Sequence, residues 1–260
     1  MRKILLTSVG VAALAVSANA TDFTLSGTAK VKVADDGNTS VDVSTAIGVS
    51  KTFDNGMVLS LSNNNMGNAG ELTLKSDAIS VTFGDIDQNE KAPGLNGNAA
   101  NADISGDGVS NASDSDGAIS LGATVAGVGI GAAMNNEGDT LFGGSFTTDM
   151  GGMAVTIGGD VYSDNTSSAD QTAMGIKATI GSLVAVVNSV QNETASGNVD
   201  ISTYSAAYTT GGLVLGFQGS DANTSAYSAT YTIVPGMNFQ IGSEDDGTTS
   251  VSSAELEMKF

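Results

Sequence analysis

The sequence has no cysteine, no histidine, no tryptophan and two prolines. Without Cys or His, thiol and imidazole nucleophiles are excluded, and so are the thiolate and imidazole metal sites. Serines abound, but none has a candidate base, so the chain is expected not to be an enzyme. Positive charge is scarce: nine Lys and Arg against 28 Asp and Glu leave a formal charge of -19. Phosphates would be repelled by so acidic a surface, which argues against nucleic acid as a partner. The absence of Cys does not choose a compartment, because an exported protein without disulfides and a cytosolic one look alike. Beyond the first twenty residues no run approaches the roughly eighteen apolar residues of a spanning helix. Helical periodicity is missing, and no fixed repeat recurs. Disorder does not fit either, since 40% of the residues are apolar.

What is present begins with MRKILLTSVGVAALAVSANA. Arg2 and Lys3 precede an apolar run from Ile4 to about Val16, and Ala18-Asn19-Ala20 offers a small-x-small cleavage site. That is the build of a secretory signal peptide over 1–20, with the mature chain over 21–260. Cleavage would take the formal charge from -19 to -21 and leave no arginine.

The mature sequence reads as short period-two segments. Phe23, Leu25, Gly27, Ala29, Val31 and Val33 alternate with Thr24, Ser26, Thr28, Lys30 and Lys32. The final AELEMKF puts Ala254, Leu256, Met258 and Phe260 on one face and Glu255, Glu257 and Lys259 on the other. About sixteen such strands, each of roughly eight to twelve residues, are expected, long enough when tilted to cross a bilayer. Tight connections (DNG 54–56, AG 126–127, GS 181–182, PG 235–236) alternate with longer polar ones such as NNEGD, QNETASGN and SEDDGTTS. The chain therefore goes up and down with unequal ends. Its expected inward face of Thr, Ser, Gly, Asp and Lys suits water, and its outward face of Val, Ile, Leu, Ala and Gly suits lipid. In lipid the sheet must close, because every backbone group needs a partner. The expected fold is an all-β, transmembrane, antiparallel up-and-down β-barrel, its last strand paired with its first. One connection breaks the pattern: residues 85–116 hold little that could be a strand, and loops so long are usually functional or disordered.

These features resemble the general-diffusion porins of Gram-negative bacteria, particularly the alphaproteobacterial kind. The resemblance rests on LSGTAKV (25–31), FDNGMVLSLS (53–62), ISVTFGD (79–85) before the long third loop, and the terminal AELEMKF. It implies a sixteen-stranded homotrimer in the outer membrane, with the third loop folded into the lumen as an eyelet. It implies a water-filled channel for passive diffusion of small hydrophilic solutes and ions, reached by export through the periplasm. Acids on that loop would be Asp85, Asp87, Glu90, Asp103 and Asp107, with Asp114 and Asp116 nearby. The opposing basic wall would be Lys30, Lys32 and Lys75. The family's arginine cluster has no counterpart, and lysines make a less rigid field than guanidinium groups. AELEMKF would be read by the outer-membrane barrel assembly machinery, with Phe260 as key residue and Met258 and Leu256 beside it. The acid excess predicts a cation-preferring pore.

Other readings are weighed against these. The lysines could be solvated faces or interfacial side chains, as Lys51 on the outward register is expected to be. SGDGVSNASDSDG (105–117) offers oxygens for calcium but lacks the spaced acids and closing Glu of an EF-hand loop, so no cofactor is expected there. A smaller barrel would follow if some strands are wrongly divided. The competing class is a secreted or surface-attached acidic β-solenoid adhesin, which would show a repeat period.

Overall fold

A computed structural model describes residues 21–35, 37, 39–63, 70–84, 91–92, 118–135, 137–165, 170–194 and 197–260. Among these, every regular element is a strand. They are β1 (Thr21–Ala34), β2 (Thr39–Thr52), β3 (Val58–Asn63), β4 (Glu71–Lys75), β5 (Ile79–Gly84), β6 (Ala118–Val125), β7 (Val128–Met134) and β8 (Thr140–Asp149). There follow β9 (Met153–Ser163), β10 (Gln171–Ile180), β11 (Leu183–Thr194), β12 (Gly197–Thr210), β13 (Leu213–Ser220), β14 (Ser225–Val234), β15 (Met237–Asp245) and β16 (Ser250–Lys259). Each strand pairs with its sequence neighbours, and β16 returns to β1, so the sheet is a closed sixteen-stranded barrel. The signal segment 1–20 lies outside the described residues.

Closure is direct. Thr28 stands opposite Lys259, and the antiparallel register runs to Ala34 opposite Ser253. One position further, Gly27 donates to the Phe260 carbonyl at 2.8 Å, and Phe260 N–H donates back to the Gly27 carbonyl at 3.0 Å. A Cβ at position 27 would lie 2.7 Å from the Phe260 ring, so glycine is what lets the terminal aromatic settle on β1. Phe260, Met258 and Leu256 share the outward register with Val31.

Turn chemistry fits the tight end of the barrel. Ala126 and Gly127 both have positive φ (52° and 82°), the backbone that a two-residue hairpin needs to match strand twist. At Pro235-Gly236, proline presets φ and Gly236 (φ 83°) takes the left-handed place of the turn.

Two sequence expectations on the elements are corrected. Strand lengths run from five residues in β4 to fourteen in β1, β2 and β12, a wider span than the alternation suggested. QNETASGN is mostly strand: β11 continues to Thr194 and β12 starts at Gly197. Polar residues at that end need no lipid-facing partner, and cross-strand bonds such as Gln191 Nε2 to Asp200 Oδ1 (3.0 Å) continue the ladder.

The outer face is apolar and bare. Val31, Val33, Ile157, Val161, Met174, Ile176 and Val187 are exposed large hydrophobics, with their strand neighbours turned inward. An exposed apolar band of this extent is a surface for lipid, not water. The inner face departs from expectation in one region. On β7 to β11 it carries an apolar cluster, Ala133, Leu141, Tyr162, Ala173 and Val190, all buried together with Ala92. Alternation alone could not locate this cluster, because these strands alternate apolar with small or apolar residues on both faces.

Candidate pore lining

The lumen has two contrasting walls. At the seam, register places Lys30 between Asp42 of β2 and Glu257 of β16, and Lys32 between Ser40 and Glu255. Lys30 Nζ lies 3.1 Å from Glu257 Oε2 and 3.4 Å from Glu255 Oε1, while Lys259 Nζ lies 2.9 Å from Glu257 Oε1. The lysine side chain is 41% exposed and the two glutamates far less. Lys30 is therefore shared between two carboxylates on the inner face, and the seam alternates in sign.

Lys75 ends β4 on the inward register of Glu71 and Thr73, and Thr73 bonds Thr82 across the strands at 3.1 Å. It is separate from the seam. It lines a cavity of about 290 Å³ together with Asp77, Ser80, Thr124 and Lys91. Lys51, by contrast, faces outward near the tight end, its ammonium 5.8 Å from the centre of the Phe53 ring.

The other wall receives Lys91 and Ala92, two residues of the connection between β5 and β6. Lys91 N–H donates to both carboxylate oxygens of Asp160 at 2.8 Å, and Ala92 N–H donates to Asp160 Oδ2 at 2.5 Å. Asp160 sits on β9 between outward-facing Gly159 and Val161, so its side chain points into the barrel, where it is 2% exposed. Burial pushes the Lys91 ammonium below the ordinary lysine value, and the Asp160 charge opposes that shift. The remaining acids predicted for this connection, Asp85, Asp87, Glu90, Asp103, Asp107, Asp114 and Asp116, lie outside the described residues, as does the calcium-like stretch 105–117.

Sequence reasoning missed several lumenal charges. Lys177 faces inward on β10, opposite Thr156 and Val186, which the alternation of Met174, Ile176 and Ala178 already implied. Glu255 and Glu257 were seen only as the polar side of a terminal strand, although inward lysines on the first strand required partners. Asp160 carried no local signal, because its partners are sixty-eight and sixty-nine residues away.

Superposition on solved structures decides the architecture. A variant of the Rhodopseudomonas blastica porin matches with a TM-score of 0.70 and 13% identity, covering 92% of this chain and 100% of that one. The fold is that of a porin. A second variant of the same porin gives 0.69 at 14% identity over the same shares. A third structure, from work on asymmetric conductivity of engineered proteins, gives 0.69 at 12% identity, again over 92% and 100%. No protein-family model and no curated protein sequence matches the chain. The porin architecture is thus shared in strand number and closure, with few identical side chains.

Proposed function

We propose that the mature chain is an outer-membrane porin, a water-filled channel for passive diffusion of small hydrophilic solutes and ions. The observation that carries this reading is the inside-out polarity of a closed barrel: exposed Val, Ile and Leu outside, with the charged Lys30, Glu255 and Glu257 turned inward. A soluble barrel needs the reverse. The β-solenoid adhesin is not favoured, because a sheet closed from β16 to β1 has no stacked repeat. Removal of residues 1–20 after export, insertion by the barrel assembly machinery through the Phe260 end, and a homotrimeric state belong to the same reading.

The pore is read as preferring cations. The seam charges nearly cancel, so the preference rests on the acid excess of the mature chain and on the acids of the third connection. Lys30, Lys32 and Lys75 moderate it. The function needs no cofactor; calcium at 105–117 would show as a selectivity change on adding chelator.

Swelling of liposomes tests the diffusion reading. Vesicles loaded with the folded protein should swell in isosmotic solutions of small neutral sugars and not in large polysaccharides. Vesicles that hold the folded barrel yet fail to swell would contradict it.

A further inference from the structure

A channel needs a polar lumen, yet it does not need a carboxylate buried in the lumenal wall. Asp160 is such a group, and burying a carboxylate is costly unless hydrogen bonds replace its water. Here they do. Two successive backbone N–H groups, of Lys91 and Ala92, converge on it in charge-assisted bonds. The surrounding wall is shaped for the same segment. Ala92 is buried in the apolar cluster with Leu141, Tyr162 and Ala173. A Cβ on Gly158 would collide with the Lys91 carbonyl, and one on Gly143 would collide with the Asp160 carboxylate. Carboxylate, apolar contact and glycine clearance are independent features that meet on two residues of the third connection.

We propose that Asp160 is a positioning residue that latches Lys91–Ala92 to the inner wall of β9 and so sets the free cross-section of the pore. The proposal rests on the channel reading above. A carboxylate offers acceptors to both N–H groups at once, whereas an amide offers one oxygen and a repelling NH₂. Glutamate, one methylene longer, would lift the segment off its glycine seat. Without the acceptor, the two N–H groups must seek water, and water lies toward the lumen.

The test compares wild type with D160A, D160N and G158A in the full mature chain, each first checked for heat-modifiable gel mobility as the mark of a folded barrel. Two readouts are taken: amide hydrogen exchange of the peptide containing residues 91–92, and open-channel current noise in planar bilayers. D160A should speed exchange at least tenfold and at least double the noise, with D160N between. G158A, which keeps the carboxylate but crowds the Lys91 carbonyl, should move both readouts the same way and carries the test if D160A does not fold. Folded D160A with unchanged exchange overturns the latch. Faster exchange with unchanged noise overturns the pore-setting role. A wild type that passes no current while its exchange still responds to D160A overturns the channel reading and leaves the latch standing.

Discussion

Along β16, β1 and β2 the lumen presents Glu255, Glu257, Lys30, Lys32 and Asp42, whereas across β8 to β11 it presents Leu141, Tyr162, Ala173, Val186 and Val190. On the first wall the charges meet one another: Lys30 reaches Glu255 and Glu257, and Lys259 reaches Glu257. The second wall is a core turned inside out, and the carboxylate buried in it, Asp160, is held by backbone N–H groups instead of by water. Charge on the inner face is thus tolerated where a partner meets it, an ammonium at the seam and backbone N–H groups on the opposite wall. The seam sets charge against charge; the opposite wall holds Lys91 and Ala92.

The largest expected effect lies at the seam. Deleting Phe260 removes both backbone bonds to Gly27 and the ring packed over it. In lipid an unclosed sheet edge costs several kcal/mol per orphaned group. The folded fraction, read by heat-modifiable mobility, should drop at least tenfold, while Asp54→Ala at an exposed turn leaves it unchanged. Equal folded yields would separate the terminal aromatic from closure.

On the opposite wall, Leu141→Ala should cost about 2–4 kcal/mol in urea unfolding from vesicles, because Leu141 is 1% exposed and leaves a cavity. Leu121→Ala, outward on β6 and half exposed to lipid, should cost less than about 1 kcal/mol. Equal losses would show that the inner wall is not a packed core.

Smaller effects are expected among the seam charges. Lys30→Gln should cost about 1 kcal/mol, as wet ion pairs do, and Lys30→Glu about twice that beside Asp42, Glu255 and Glu257. The exchange K30E/E257K should recover most of the loss, and molar salt should shrink all three differences. A double-mutant cycle without coupling would break the picture of a shared lysine.

The smallest effect concerns pH. Asp246, between β15 and β16, accepts from the Thr248 hydroxyl at 2.6 Å and from Thr248 and Thr249 N–H at 2.8 and 2.7 Å. These bonds hold its carboxyl well below the usual carboxylate range. A depressed carboxyl contributes stability above its unfolded pKa and loses it as pH falls through the folded one. Asp246 should therefore remain ionised at pH 3 in an NMR titration, when exposed carboxyls without such partners are largely protonated. Titration near pH 4 would remove the turn's hydrogen bonds from the account.

Much of this was legible in the sequence, for a physical reason. Period-two alternation records which face meets lipid, so Val31, Val33, Ile176 and Phe260 declare their side without a structure. Glycines at tight turns, such as Gly127 and Gly236, record positive φ. What alternation cannot record is which strands share a lumen wall or what a loop touches. Lys30 was visible as inward, but its glutamates lie at the far end of the chain, joined only by closure. Asp160 stands in a glycine-rich segment with nothing beside it in sequence to mark it. Its role depends on two backbone groups nearly seventy positions earlier, and no local pattern encodes that meeting.

The central claim is a continuous aqueous lumen, and single-channel recording in planar bilayers tests it most directly. Folded wild-type protein should produce discrete current steps whose size rises with bulk salt, with a reversal potential favouring cations that weakens as salt increases and the Debye length shrinks. Folded barrels that insert into the bilayer and pass no current at any salt concentration would contradict it.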